Sequence, residues 1–239
     1  MKIALIGYGK MGKAIERIAL SRGHEISVII DADNSKKLKS LKSTMVDVAI
    51  EFTEPEQAYN NIKHCIKAGI PVVSGTTGWL DKFDKLTKYC HEQGGSFFYA
   101  SNYSIGMNLF FHINELVARL MNKYTQYEVE IHEIHHKEKK DAPSGSAISI
   151  ARKILPYLEK KRSWTAQQAP GDTDISILSF REGNVPGTHT VIYSSPEDNI
   201  ELKHLAHSRQ GFATGAVVAA EWLKGKKGVF GMDDLLELV

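Results

Sequence analysis

Ile3-Ala4-Leu5-Ile6-Gly7-Tyr8-Gly9-Lys10-Met11-Gly12 is the stretch on which the fold turns. The unbroken apolar run over 3–6 suits a strand buried on both faces of a parallel sheet. Glycines follow as G-x-G-x-x-G, and Met11, Ala14, Ile15, Ile18 and Ala19 then fall at helical spacing, closed by Gly23 as a C-terminal cap. Between a strand and a helix each glycine has a task. The first permits the tight turn, the second lets backbone approach a pyrophosphate, and the third allows close helix–strand packing. Residues 28–30 are β-branched and end at Asp31. The unit reads β-α-β, right-handed, with a carboxylate about 20 residues beyond the turn for the ribose hydroxyls of a dinucleotide. That placement favours NAD over NADP.

Outward from this unit the alternation continues. A basic stretch over 36–42 reads as a short solvated helix or loop, and 46–52 as a third strand. Glu54-Pro55-Glu56 starts a helix that carries Ile62, Cys65 and Ile66 to Gly69. Strand, helix and strand follow over 70–73, 80–91 and 97–100, which predicts a doubly wound parallel sheet. Past Tyr103 the style changes. A long helical pattern over 107–124 precedes period-two alternation over 127–134 and in part of 175–181, with a further β-rich run over 189–193. The expected fold class is α/β: a Rossmann-type domain from 1–103 and 209–239, with an inserted α+β domain over 104–208. The apolar positions of 211–223 and 235–239 fall at helical spacing and are expected to return to the first domain.

Composition narrows the function. Apolar residues are 42% and charged residues 24% of the 239, so a buried core is expected. A net charge of +2 gives no pointer to nucleic acid or to a membrane surface. With Cys65 and Cys90 alone, a multi-disulfide scaffold is excluded and a reducing compartment fits. The start lacks a secretory apolar stretch, and no run approaches the roughly 20 apolar residues that span a bilayer. A cytoplasmic chain is expected.

Two motifs mislead. Residues 7–13 also satisfy G-x-x-x-x-G-K, but the hydroxyl that a triphosphate loop needs next is missing at Ala14. His132-Glu133-Ile134-His135-His136 matches H-E-x-x-H, whose zinc chemistry requires a helix. The surrounding alternation predicts a strand, in which positions 132 and 136 lie roughly 13 Å apart, so no metal is expected through that pair. The right half is more telling. His135, His136, Lys137, Lys139 and Lys140 form a cationic, titratable cluster, and Ser144, Gly145 and Ser146 precede an apolar helical run through Ile148, Ile150, Ala151 and Ile154. Cations beside a helix start suit a small dicarboxylate; the same pattern also reads as a solvated basic loop with an ordinary cap.

HHKEKKDAPSGSA (135–147), GYGKMG (7–12), GTTG (75–78), SNYS (101–104), REGNVPGTHTV (181–191) and FATGAVVAAEWL (212–223) together resemble the 4-hydroxy-tetrahydrodipicolinate reductase family, formerly dihydrodipicolinate reductase, of lysine and diaminopimelate biosynthesis. The likeness runs through the whole chain. It implies NADH- or NADPH-dependent reduction of a cyclic dicarboxylate, 4-hydroxy-2,3,4,5-tetrahydrodipicolinate, to tetrahydrodipicolinate with loss of water. It also implies a homotetramer built through the edge of the second domain's sheet. By the resemblance, His135 matches the proton donor/acceptor and Lys139 the proton donor, while His136, Ser144, Gly145 and Ser146 match substrate contacts. Gly7, Tyr8, Gly9, Lys10, Met11, Gly12, Asp31, Gly75, Thr76, Thr77, Ala100, Ser101, Asn102 and Tyr103 match cofactor contacts. No metal is implied. Departures keep the needed groups: Ser146 stands where Thr is usual, Ser101 and Tyr103 where Pro and Phe are common, and Glu51 where Asp is. The segment after Asp31 is short and no arginine follows it, but Lys36 and Lys37 stand within reach of a 2′-phosphate, which leaves the cofactor preference open. Two rival readings remain. A semialdehyde-type dehydrogenase would need a nucleophilic cysteine, whereas Cys65 and Cys90 fall in predicted helices as inert filler. A non-catalytic dinucleotide sensor would use the same fold.

Overall fold

The computed structural model describes residues 1–166, 172–208 and 210–238. The expected domain limit at 209 and the end of the apolar tail, Val239, lie outside the described residues. Along the chain come β1 (Lys2–Ile6), α1 (Lys10–Ser21), β2 (Glu25–Ile30), β3 (Val48–Glu51), α2 (Pro55–Lys67), β4 (Val72–Ser74), α3 (Phe83–Glu92) and β5 (Ser96–Tyr99). Then follow α4 (Ile105–Met121), β6 (Glu128–His135), α5 (Gly145–Ile154), β7 (Ser163–Thr165), β8 (Asp174–Arg181), β9 (Thr188–Ser194) and β10 (Asn199–Leu205). The chain ends with α6 (Gln210–Leu223), β11 (Gly228–Phe230) and α7 (Met232–Leu235). Two compact units divide it: Met1–Ile105 with Gln210–Val239, and Gly106–Arg209.

The first unit is a six-stranded sheet in the order β11-β5-β4-β3-β1-β2, parallel at every pairing. Its strands alternate between two cores, which is why they read as continuous apolar runs. Ile3 and Leu5 of β1 join Ile15 and Ala19 of α1 and the small-residue face of α6. Ala4 and Ile6 join Ile62 and Cys65 of α2 and Leu86 and Cys90 of α3. The chain runs from β1 outward to β2 on one side and takes up β3 on the other. The carboxyl ends of β1 and β3 are therefore the switch point at which ligands bind in such sheets.

The second unit is a five-stranded mixed sheet, β10-β9-β6-β8-β7, with β6, β8 and β7 parallel and β9 and β10 antiparallel. On β6 the alternation predicted from YEVEIHEI holds. Val129, Ile131, Glu133 and His135 are buried, while Glu130, His132 and Ile134 face the other way and are half-buried. The buried face packs on α4 and α5 through Met107, Phe110, Phe111, Ile150 and Ile154.

Several expected elements shift. The basic stretch lies in 3₁₀ turns over Ala32–Ser40, and the helix expected over 80–91 begins as 3₁₀ turns before α3. β7, β10 and β11 were not anticipated; β7 and β11 are three residues each and owe their form to the strands beside them. The tail helix is α7 rather than 235–239, because Glu237 takes φ +53 and leaves the helical region.

Candidate active site

In the first unit, a cleft of about 490 Å³ opens at the ends of β1, β2 and β3, lined by Gly7, Tyr8, Gly9, Asp31, Phe52 and Thr53 among others. The glycines there are demanded by packing. Gly7 takes φ +93, and a Cβ on it would come 2.0 Å from the Phe52 carbonyl oxygen; one on Gly12 would come 2.3 Å from the Gly7 oxygen. A Cβ on Gly75 would strike the Phe52 ring at 2.1 Å. Gly9 differs, since nothing lies within 4 Å of its missing side chain. Gly9 also precedes α1 with no side-chain cap, and the first turn holds no acidic residue. The backbone N–H groups there are suited to an anion. Such an open, uncapped helix start above a tight glycine turn fits the pyrophosphate of a dinucleotide. Lys10 is exposed and Met11 half-buried in that first turn, and the Tyr8 hydroxyl donates to Glu16.

Asp31 is exposed at the mouth of the cleft, its N–H donating to Asn34 Oδ1 at 2.9 Å. Beneath the β3 end lies Glu51, fully buried, which accepts from the hydroxyls of Ser74, Thr53 and Thr76. Burial pushes its carboxyl up, against the pull of those hydroxyls. Thr76 is thus tied into the floor, whereas Thr77 is exposed. Ala100 and Tyr103 are buried, and the Tyr103 hydroxyl donates to the Ser74 carbonyl at 2.6 Å. Ser101 is exposed, and Asn102 accepts from the Ser104 N–H at 2.9 Å.

In the second unit, register assembles a polar cluster where the apolar face of β6 ends. Glu133 pairs with Ser179 of β8 and His189 of β9, and His135 pairs with Arg181. Glu133 has no exposed surface. Its Oε1 accepts from Ser179 Oγ at 2.7 Å, from the Ser144 N–H at 3.0 Å and from Arg181 Nη2 at 3.3 Å. Its Oε2 lies 3.2 Å from His135 Nδ1 and 3.9 Å from His189 Nε2. Burial works against this carboxylate, but the partners His135, Ser144 and Ser179 outweigh it and hold the carboxyl well below the usual range. His189 goes the other way. Burial, with His135 beside it, pushes its imidazole down to about 3, so the ring stays neutral.

Arg181 ties Lys139 to this cluster. Its Nε donates to the Lys139 carbonyl at 3.3 Å and its Nη2 to the Asp141 carbonyl at 2.6 Å. The Lys139 ammonium sits on Asp141, 2.7 and 2.8 Å from the two carboxylate oxygens. His136 is half-buried, and its N–H donates to the Val185 carbonyl at 2.8 Å. Ser144 is buried and already engaged: its hydroxyl caps α5 by accepting from the Ala147 N–H at 3.2 Å and meets His189 Nε2 at 3.2 Å. Gly145 is exposed and Ser146 half-buried on the first turn of α5.

H-E-x-x-H resolves as a strand through His135, with His132 on the face opposite His135 and 2.9 Å from Glu130. Cys65 and Cys90 are free and buried, and burial pushes the Cys65 thiol up to about 12, so neither is a thiolate nucleophile. No helix among the described residues is long and apolar enough to cross a membrane. Sequence reasoning assigned no role to Glu133, Ser179, Arg181 or His189. Arg181 and His189 lie in the REGNVPGTHTV stretch, but only sheet register shows that they flank β6.

Comparison with known proteins agrees with this geometry. Residues 1–103 match the N-terminal model of dihydrodipicolinate reductase and residues 106–236 its C-terminal model. The chain is 50% identical over 236 residues to the 4-hydroxy-tetrahydrodipicolinate reductase of Christiangramia forsetii, covering 99% of this chain and 98% of that one. It is 38% identical over 199 residues to the enzyme of the same name from Neisseria meningitidis serogroup C, covering 80% and 73%. A solved dipicolinate-bound dihydrodipicolinate reductase from Paenisporosarcina sp. TG-14 superposes with a TM-score of 0.80 at 23% identity, over 98% of this chain and 99% of that one. The chain belongs to the dihydrodipicolinate reductase family, nicotinamide-dinucleotide-dependent oxidoreductases that reduce 4-hydroxy-tetrahydrodipicolinate.

Proposed function

We propose that the Glu133-centred cluster holds the substrate and moves its protons as 4-hydroxy-2,3,4,5-tetrahydrodipicolinate becomes tetrahydrodipicolinate with loss of water. The observation that carries this reading is a buried carboxylate that fixes His135 from behind while Arg181 brings Lys139 to the same cluster. A reduced nicotinamide dinucleotide on the glycine turn supplies the hydride. The hydroxyl leaves as water together with a proton from the neighbouring ring carbon, and the hydride and one proton then add across the double bond so formed, so one proton is taken up overall. Lys139 supplies that proton from its ammonium, released from Asp141, and His135 carries the ring-carbon proton to the leaving hydroxyl at the ring edge that Glu133 does not face. The first turn of α5, at Gly145 and Ser146, takes a substrate carboxylate, with His136 as a second contact and Ser144 bracing from beneath. The Paenisporosarcina protein was solved with dipicolinate; we extend that dicarboxylate class to this chain. A steady-state assay fed by the preceding synthase tests the roles. His135→Gln and Lys139→Ala should each lower turnover at least ~10²-fold, and full activity in both would remove the assignment.

We further propose NADH as the preferred cofactor, because Asp31 at the cleft mouth suits free ribose hydroxyls better than a 2′-phosphate. In this reading Gly7 to Gly12 hold the pyrophosphate, and Gly75, Thr76, Thr77 and residues 100–103 line the nicotinamide end, Tyr103 and Thr76 from within the fold. Asp31→Ala should weaken NADH selectively; equal loss with NADPH contradicts the preference. The outer face of the mixed sheet is assigned to a homotetramer, and the setting to the cytoplasm, where Cys65 and Cys90 stay reduced.

A further inference from the structure

Glu133, His135 and His189 are each at least nine-tenths buried and offer donor atoms that all lie within 4.8 Å of one another. Two of those donors, Glu133 Oε2 and His135 Nδ1, face each other and have no other hydrogen-bond partner among the described residues. Their 3.2 Å separation, and the 3.9 Å from Oε2 to His189 Nε2, bracket the roughly 3.4 Å between neighbouring ligands of a tetrahedral zinc ion with bonds near 2.0–2.1 Å. Two imidazoles and a carboxylate are a donor set that borderline divalent metals take readily. The surrounding charges moderate the affinity. Arg181 sits 3.3 Å from the other carboxylate oxygen, Oε1, and Lys139 is paired with Asp141. They disfavour a permanently held dication and favour one that comes and goes.

We propose that Glu133, His135 and His189 form a reversible zinc site through which free zinc inhibits the enzyme. Zinc there displaces no covalent group. It takes the lone pair of His135 and draws that ring out of proton transfer, so inhibition rests on the role proposed for His135, whereas binding does not.

The test uses the full-length protein, stripped with a chelator, and cobalt(II) alone as probe, because tetrahedral cobalt absorbs visible light far more strongly than the aqua ion. Wild type should give a saturable band that titrates to one ion per chain and is bleached by zinc. Glu133→Gln and His189→Asn should each weaken binding at least about tenfold. His132→Ala should bind as wild type does, since His132 lies on the opposite face of β6. Absence of the band in wild type overturns the site without needing any variant to fold, and so does a band that all three variants share. Zinc buffered over the same range should inhibit turnover reversibly. A band accompanied by undiminished turnover upholds the site and overturns the proton role of His135, which keeps the two readings apart.

Discussion

Glu133 keeps its negative charge without any solvent contact, and that fact has a pH signature. A carboxyl held below its ordinary value contributes stability that is present above about pH 4.5 and is lost as acid takes the pH down toward the folded value. His189 adds to the same trend by the opposite route. Its ring takes a proton below 6.5 when unfolded but only near 3 when folded, so unfolding binds a proton across that window. Stability should fall by up to about 1.4 kcal/mol per pH unit as the pH drops through it. Urea titrations of wild type and His189→Gln at several pH values between these limits check this. The variant should show the shallower slope, and equal slopes would mean that His189 is not held neutral. For catalysis, Glu133→Gln keeps the shape of the side chain but loses its charge. It should lower kcat at least about tenfold while leaving the KM for NADH unchanged; a changed KM alone would argue for a merely structural part.

Among elements, β1 and α1 were legible because the burial pattern of a parallel sheet and the glycine spacing are both local. Residues 3–6 had to be apolar throughout, since they feed two cores, and a turn into α1 had to be tight. β10 was not legible because its alternation is that of a solvated edge, and β11 because three residues carry no period. The polar cluster was half legible. HHKEKKDAPSGSA places His135 and Lys139 near a helix start, yet their neighbours come from β8 and β9, which no spacing along the chain reveals. The glycine turn yields a test in which packing and binding separate. Gly12→Ala puts a methyl 2.3 Å from the Gly7 oxygen and should cost about 1–3 kcal/mol of stability. Gly9→Ala meets only open space, so its melting temperature should match wild type while its dinucleotide Kd rises. A Gly9→Ala protein that binds NADH as wild type does would show that the pyrophosphate does not approach there.

For the whole molecule, the mixed sheet shows one face to α4 and α5 and another that carries Leu205, Thr188, Ile134 and Phe180 in a row across four strands. Leu205 and Phe180 are 51% and 42% exposed, an apolar load that a monomer has little reason to show. If this face builds the assembly, Phe180→Asp with Leu205→Asp should lower the mass measured by light scattering on a sizing column, with the far-ultraviolet spectrum unchanged. An unchanged mass would move the interface elsewhere.

Ser144 closes three circuits with one residue: its amide steadies Glu133, its hydroxyl caps α5, and the same oxygen meets His189. Winding of that helix and the seating of the acid–base pair are thereby tied to one residue. A chain whose α5 has not wound keeps Ser179 and Arg181 on the Glu133 carboxylate but loses the Ser144 amide there and the hydroxyl beside His189.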